Sequence, residues 1–303
     1  MEPIVYIDRL TGKEEIEQVY AASALKFIYG DDLVSRIFGT AALHLLVKNP
    51  IFSALYGAWQ KTSCSRKKII PFITKFHIDS SEFLDPVDSY QSFNDFFIRR
   101  LKPTARPIAP RDDTAITPAD ARYRFYPHLD LSEGFLVKGE KFDLVTLLED
   151  AELAKRYCDG TMIMARLCPT DYHRYHFPCS GVPGPTRLIN GWLYSVNPIA
   201  LKKDIHIFTR NKRAICEFQT ERFGKVLFID VGATNVGSIH QTYNPNKSCE
   251  KGAEKGYFSF GASSLILLFE KGRIVLDKDL VTATQRGLEI RCLMGQSMGK
   301  AAF

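Results

Sequence analysis

The chain has 303 residues, 45% of them hydrophobic and 24% charged, and a formal net charge of +6. That is enough for one large domain or two modest ones with a real core, and the basic excess is too weak and too diffuse for a nucleic-acid surface. Seven cysteines, an odd number without a Cys-x-x-Cys pair, argue against a disulfide framework or a zinc site and for a reducing compartment.

The first residues lack the basic stretch and apolar run of a signal peptide, and no stretch approaches the roughly 18 apolar residues of a membrane span. Residues 13–60 are helical in pattern. Ile16, Val19, Ala22, Leu25 and Ile28 predict one amphipathic helix. Leu33 to Lys48 predicts a second, with Ile37, Ala41, Leu45 and Leu46 toward one side. Asn49-Pro50 breaks it, and Ile51 to Trp59 resumes. Lys61, Arg66, Lys67 and Lys68 follow; apolar faces beside basic residues suit an anionic membrane surface, or helices packed on their own domain. Residues 85–112 read as an irregular connector, with Phe93, Phe96 and Phe97 ahead of Arg99 and Arg100. From about 115 onward short apolar runs predict strands at Thr161–Leu167, Gly191–Val196, Lys225–Val231, Leu265–Phe269 and Arg273–Leu276. Leu144–Tyr157 is the clearest helix among them. The expected fold is α+β: a helical, membrane-associated N-terminal region over residues 1–84, then a mostly antiparallel β-rich catalytic domain over 85–303.

Three segments carry residues fit for chemistry. In Gly261-Ala262-Ser263-Ser264 a hydroxyl follows a backbone that small residues leave open, so that it can reach its own preceding carbonyl. A purely structural serine between a turn and a strand has the same local pattern. Cys168-Pro-Thr-Asp-Tyr-His-Arg-Tyr-His176 offers His173 and His176, three residues apart, as acid–base groups, a metal pair or structural residues. No further ligand pattern supports a metal. Asp120, in Thr117-Pro-Ala-Asp, is a turn residue or the group that orients a histidine in an Asp–His–Ser arrangement.

Taken together, Ser92-Phe-Asn-Asp-Phe-Phe-Ile-Arg-Arg, Thr117-Pro-Ala-Asp, Asp171-Tyr-His-Arg-Tyr-His, Tyr194-Ser-Val-Asn-Pro, Val231-Gly-Ala-Thr-Asn-Val-Gly-Ser-Ile and Gly252-Ala-Glu-Lys-Gly-Tyr-Phe-Ser-Phe-Gly resemble the phosphatidylserine decarboxylases. The likeness is to their bacterial subgroup with a helical N-terminal extension, from about residue 5 to 299. It implies a pyruvoyl-dependent lyase made as a zymogen. Ser263 attacks the carbonyl of Ala262, the chain splits into a β chain (1–262) and an α chain (263–303), and Ser263 becomes a covalent pyruvoyl group that takes up the substrate amine as a Schiff base. By the same resemblance His176 is the base of self-processing, Asp120 orients it, and His173 serves decarboxylation as proton donor. The partners implied are phosphatidylserine, an anionic membrane surface on the cytoplasmic face of the cell membrane, and a second copy in a homodimer, with no metal and no nucleic acid. Two positions depart from the family pattern. Ala262 stands where glycine is usual, which costs on the order of 1 kcal/mol if φ must be positive, and Ala121 stands where glycine usually follows Pro-Ala-Asp. The alternatives are a pyruvoyl-dependent decarboxylase of a soluble amino acid and an unprocessed phosphatidylserine-binding protein.

Overall fold

The computed structural model describes residues 3–20, 50–129, 135–137, 140–201, 204, 206–233, 239–261 and 263–302. The helix expected from Leu33 to Lys48 lies outside these residues, as does Ala262. Nine strands form the main sheet, in the spatial order Glu14–Ile16, Val5–Asp8, Glu289–Cys292, Ala121–Tyr126, Thr161–Leu167, Ser263–Phe269, Lys225–Gly232, Arg213–Thr220 and Gly181–Ile189. All neighbours pair antiparallel except Val5–Asp8 with Glu289–Cys292, which run parallel. The architecture is a mixed α+β fold that is mostly sheet, and among the described residues no helix is long and apolar enough to cross a membrane.

Strand alternation sorts the side chains into two layers. Tyr123, Phe125, Ile163, Leu265, Leu267 and Phe228 fill one core. Met162, Met164, Ile266, Leu268, Leu227 and Ile229 fill the other. The strand Ser263–Phe269 is buried along its whole length because it lies in the middle of the sheet with a layer on each face. Its two serines therefore point to opposite sides.

A third, aromatic cluster holds the front of the molecule. Phe72, Phe83, Tyr90, Phe93, Phe96 and Phe97 pack around Phe260. The helix Phe93–Phe97 starts at Ser92, whose hydroxyl accepts from the Asp95 amide, while the Asp95 carboxylate accepts from the Gln91 amide. This reciprocal cap places three phenylalanines in an otherwise irregular stretch.

Three sequence expectations are corrected. Ile16 is not helical: the Asp8 carboxylate accepts from the amides of Leu10 and Thr11, Gly12 takes φ 69°, and the chain returns as the hairpin strand Glu14–Ile16. Gly191–Val196 is not a strand beyond one bridge, Trp192 to Asn211, because the Asn211 side-chain amide pairs with the backbone N–H and C=O of Tyr194 in place of a neighbouring strand. The helix expected over Leu144–Tyr157 is two helices, Leu144–Leu148 and Ala151–Arg156. Glu149 turns left-handed at φ 47°, and Asp150 caps the second.

Candidate active site

Ser263 opens the central strand, opposite Leu167 on one side and Gly232 on the other. Its residue is 0% exposed and its Oγ has no hydrogen-bond partner. A buried hydroxyl left unpaired costs free energy, so the fold spends stability to keep this oxygen free. Just upstream, Gly261 sits at φ 143°, a backbone region that favours glycine. The segment is pinned one residue earlier still. The Phe260 amide donates to Asn94 Oδ1 at 2.9 Å, and the Phe260 ring packs edge-on against Phe93 and Phe97. The approach is as tight at Gly256, where a Cβ would stand 2.1 Å from the His240 carbonyl oxygen.

The two histidines are set by the turn that leaves the strand Thr161–Leu167. Asp171 accepts from the Cys168 amide at 2.7 Å and is itself clamped by Arg122 at 2.9 Å. The turn carries His173 back so that its Nε2–H donates to the Cys168 carbonyl, one residue beyond Leu167. A carbonyl only accepts, so the resting neutral ring carries its lone pair on Nδ1. That atom is buried without a partner, and the ring stacks on Phe97 at 3.9 Å. Burial first, then the Arg99 charge, lower the His173 pKa from 6.5 to about 3. His176 donates from Nδ1 to the Gly252 carbonyl at 2.8 Å, leaving Nε2 to accept from the Tyr172 hydroxyl at 3.2 Å. Burial lowers its pKa as well, while the Gly252 carbonyl and then the charges of Glu254 and Asp120 oppose that shift.

Asp120 stands apart from both rings. Its carboxylate is forked by Arg106 at 2.7 to 3.0 Å and accepts from the Met294 amide at 2.8 Å. Ala121, next to it, begins a strand and is buried against Cys292. The structure thus brings His173 to the carbonyl of Cys168, beside the Ser263 pairing. Asp120, His176 and Ser263 do not form one hydrogen-bonded chain. In front of Asp120 and Tyr172 lies a cleft of roughly 500 Å³ that also reaches Arg99, Arg106 and Arg122. Sequence reading left Asn94, Phe97, Arg99, Arg106 and Tyr172 without roles. For Asn94 and Arg99 the signal was a polar residue inside or just after the aromatic run Phe93–Phe97, with partners far away in the chain.

Two expected outcomes follow from this geometry. Asn94→Ala leaves the Phe260 amide buried without an acceptor, at a cost of about 1–3 kcal/mol. If that strain falls on the segment before Ser263, chain cleavage slows by about tenfold to a hundredfold in a time course of freshly translated protein; an unchanged rate would show that the aromatic packing alone positions it. The second concerns pH. His173 stays neutral in the fold but takes a proton near 6.5 in the unfolded chain. Its contribution to stability is therefore complete above pH 6.5 and is lost as pH falls toward 3, at about 1.4 kcal/mol per pH unit. In single-chain Ser263→Ala protein, urea unfolding should lose about 2 kcal/mol more between pH 6.5 and 5 than in the same protein with His173→Gln. Parallel pH profiles would contradict the buried neutral ring.

Residues 93–300 match the family model described as phosphatidylserine decarboxylase. The chain is similar along nearly its whole length to the phosphatidylserine decarboxylase proenzyme of Chlamydia muridarum, 47% identical over 299 residues that cover 99% of this chain and 98% of the relative. The proenzyme of that description from Chlamydia caviae is 48% identical over 301 residues, 99% of each chain. The one from Chlamydia pneumoniae is 45% identical over 301 residues, 99% of this chain and 98% of the relative.

Proposed function

This chain belongs to the phosphatidylserine decarboxylase family, and we propose that it removes the carboxyl group of phosphatidylserine as CO2, leaving phosphatidylethanolamine, after cutting its own backbone between Ala262 and Ser263. The observation that carries this reading is the Ser263 hydroxyl, fully buried, unpartnered and preceded by Gly261 at φ 143°. Ser263 Oγ attacks the Ala262 carbonyl carbon, its proton passes to a base, and the amide nitrogen leaves with a proton to give an ester. Removal of the Ser263 α-proton then expels the Ala262 carboxylate. The dehydroalanine left behind takes up water and loses ammonia to give the pyruvoyl end. Chains 1–262 and 263–303 result.

The base in this proposal is His176 through Nε2, which carries the lone pair and which only the Tyr172 hydroxyl engages. Asp120 acts on it through charge and not through contact, because its oxygens are held by Arg106 and the Met294 amide. A pyruvoyl group at position 263 supplies the sink for the electron pair left by CO2. Two buried polar atoms without partners, Ser263 Oγ and His173 Nδ1, fit a site completed by a change at residue 263. His173 cannot donate from Nδ1 in its resting form. It first takes a proton there, from the substrate ammonium, and then returns one to the carbon that lost CO2.

The membrane contact is proposed for the short helices Pro50–Gln60 and Ile69–Phe76. Leu55 and Ile70 are 65% and 61% exposed, near the exposed Arg66 and Lys67. Such apolar and basic residues together suit the anionic cytoplasmic face of a membrane. The test of substrate class is CO2 release from phosphatidylserine in anionic vesicles against free serine. Release from the lipid alone is expected; equal efficiency on serine would favour the soluble-substrate reading. Leu55→Asp with Ile70→Asp should lower vesicle binding about tenfold or more, and unchanged binding would place the contact elsewhere.

A further inference from the structure

Arg99 is the one arginine of the cleft that the described residues leave without a carboxylate partner. Arg106 pairs with Glu82 and Asp120, Arg122 with Glu17 and Asp171, and Arg291 with Asp8. Arg99 is only 4% exposed. Its Nη2 donates to the carbonyls of Thr170 and Asp171, both at 3.2 Å, and its guanidinium lies over the rings of Phe96 and Phe83 at 5.0 and 5.2 Å. Its Nε and Nη1 are buried and have no partner. A guanidinium kept dry with two free donors is costly unless an anion completes it. Arg99 lines the cleft, and it stands two residues along the chain from Phe97, whose ring stacks on His173.

We propose that this cleft is the seat of the substrate's phosphodiester and that Arg99 holds it through Nε and Nη1, an assignment that rests on the phospholipid decarboxylase reading above. The substrate carries two anions, and the chemistry selects between them. The carboxylate loses its charge on the way to CO2, so an arginine on it would stabilise the ground state more than the transition state. The phosphodiester keeps its charge throughout and matches the two-pronged donor geometry of a guanidinium. At the mouth, Leu10 and Ile16 are each 65% exposed and give the acyl-bearing side of a lipid an apolar rim. A bound anion also offsets the Arg99 charge, which after burial is the second cause that holds His173 below its ordinary pKa.

The test uses the processed enzyme, phosphatidylserine in mixed micelles, and glycerophosphoethanolamine as a soluble competitor that has the phosphodiester but no carboxylate. In Arg99→Met, KM should rise and competition weaken, each by about tenfold to a hundredfold, with a smaller change in kcat. Arg99→Lys should restore part of both. Undiminished competition in Arg99→Met beside a raised KM would assign the arginine to the carboxylate and overturn the proposal. Lowered melting temperature or blocked processing, with normal kinetics in whatever is processed, would make Arg99 structural and overturn it. Orthophosphate competing as well as the headgroup would make this a free-phosphate site and overturn the lipid assignment. Should phosphatidylserine turnover itself be absent, equilibrium dialysis of glycerophosphoethanolamine against uncleaved Ser263→Ala protein, with and without Arg99→Met, decides the subsite separately from the reaction.

Discussion

Ser263→Ala should yield one uncleaved chain that releases no CO2 from phosphatidylserine, while folding at least as well as the parent. Loss of both activities is expected because, in the proposed reaction, the Ser263 hydroxyl is the nucleophile of processing and the carbon skeleton of Ser263 becomes the electron sink only once that hydroxyl has left with the Ala262 carboxylate. Retained folding follows from the burial data. The Ser263 hydroxyl is fully enclosed and makes no hydrogen bond, so removing it breaks none and relieves an unpaired polar group. A melting temperature unchanged or raised, beside complete loss of cleavage, is an outcome that a merely structural serine would not give. Ser264→Ala is the control. Ser264 also lacks a partner, but strand alternation turns it to the opposite face, toward Arg122, Arg166 and Glu289. It should still cleave. Cleavage in Ser263→Ala, or its loss only in Ser264→Ala, would move the scissile bond.

The second large effect separates the histidines. His176→Ala should abolish cleavage, because a serine hydroxyl needs a base to attack at neutral pH and Nε2 of this ring carries the lone pair, engaged only by the Tyr172 hydroxyl. His173→Ala should cleave substantially yet turn over substrate about 10²- to 10⁴-fold more slowly, the usual loss when a proton-transfer group is removed. Asp120→Asn should slow cleavage without abolishing it, since Arg106 and the Met294 amide, not the imidazole, hold this side chain in place. Gel time courses of newly made protein give the cleavage rates, and CO2 release from the processed fraction gives turnover. Equal failure of both histidine variants to cleave would show that the division of roles is wrong.

The central strands were legible because both faces of the sheet are covered. Thr161–Leu167 and Ser263–Phe269 are buried at every position, which leaves the apolar runs Met162–Ala165 and Leu265–Phe269 in the sequence. The edge was not legible. Val5–Asp8 and Glu14–Ile16 are short, and the second is fully exposed, so no apolar run marks it and the spacing of Ile16 to Val19 imitated a helix. Ser263, His173, His176 and Asp120 stood out by residue type, and the family likeness they carried is shown by the comparisons. Their partners did not stand out. Arg106 reaches Asp120 from 14 positions away and Asn94 reaches Phe260 across 166, and no local spacing rule announces such pairs. Tyr172 was hidden for another reason. It lies inside the histidine motif, but only the fold shows that its hydroxyl, four residues from His176, meets Nε2.

Intact mass under denaturing conditions tests the central claim most directly. Purified protein should give two species: a chain ending in the free carboxylate of Ala262, and residues 263–303 lighter by one ammonia than a serine N-terminus, as a pyruvoyl end requires. A single species with the mass of the uncut 303-residue chain in a preparation that decarboxylates phosphatidylserine would contradict it, as would a small chain that begins with an unmodified serine.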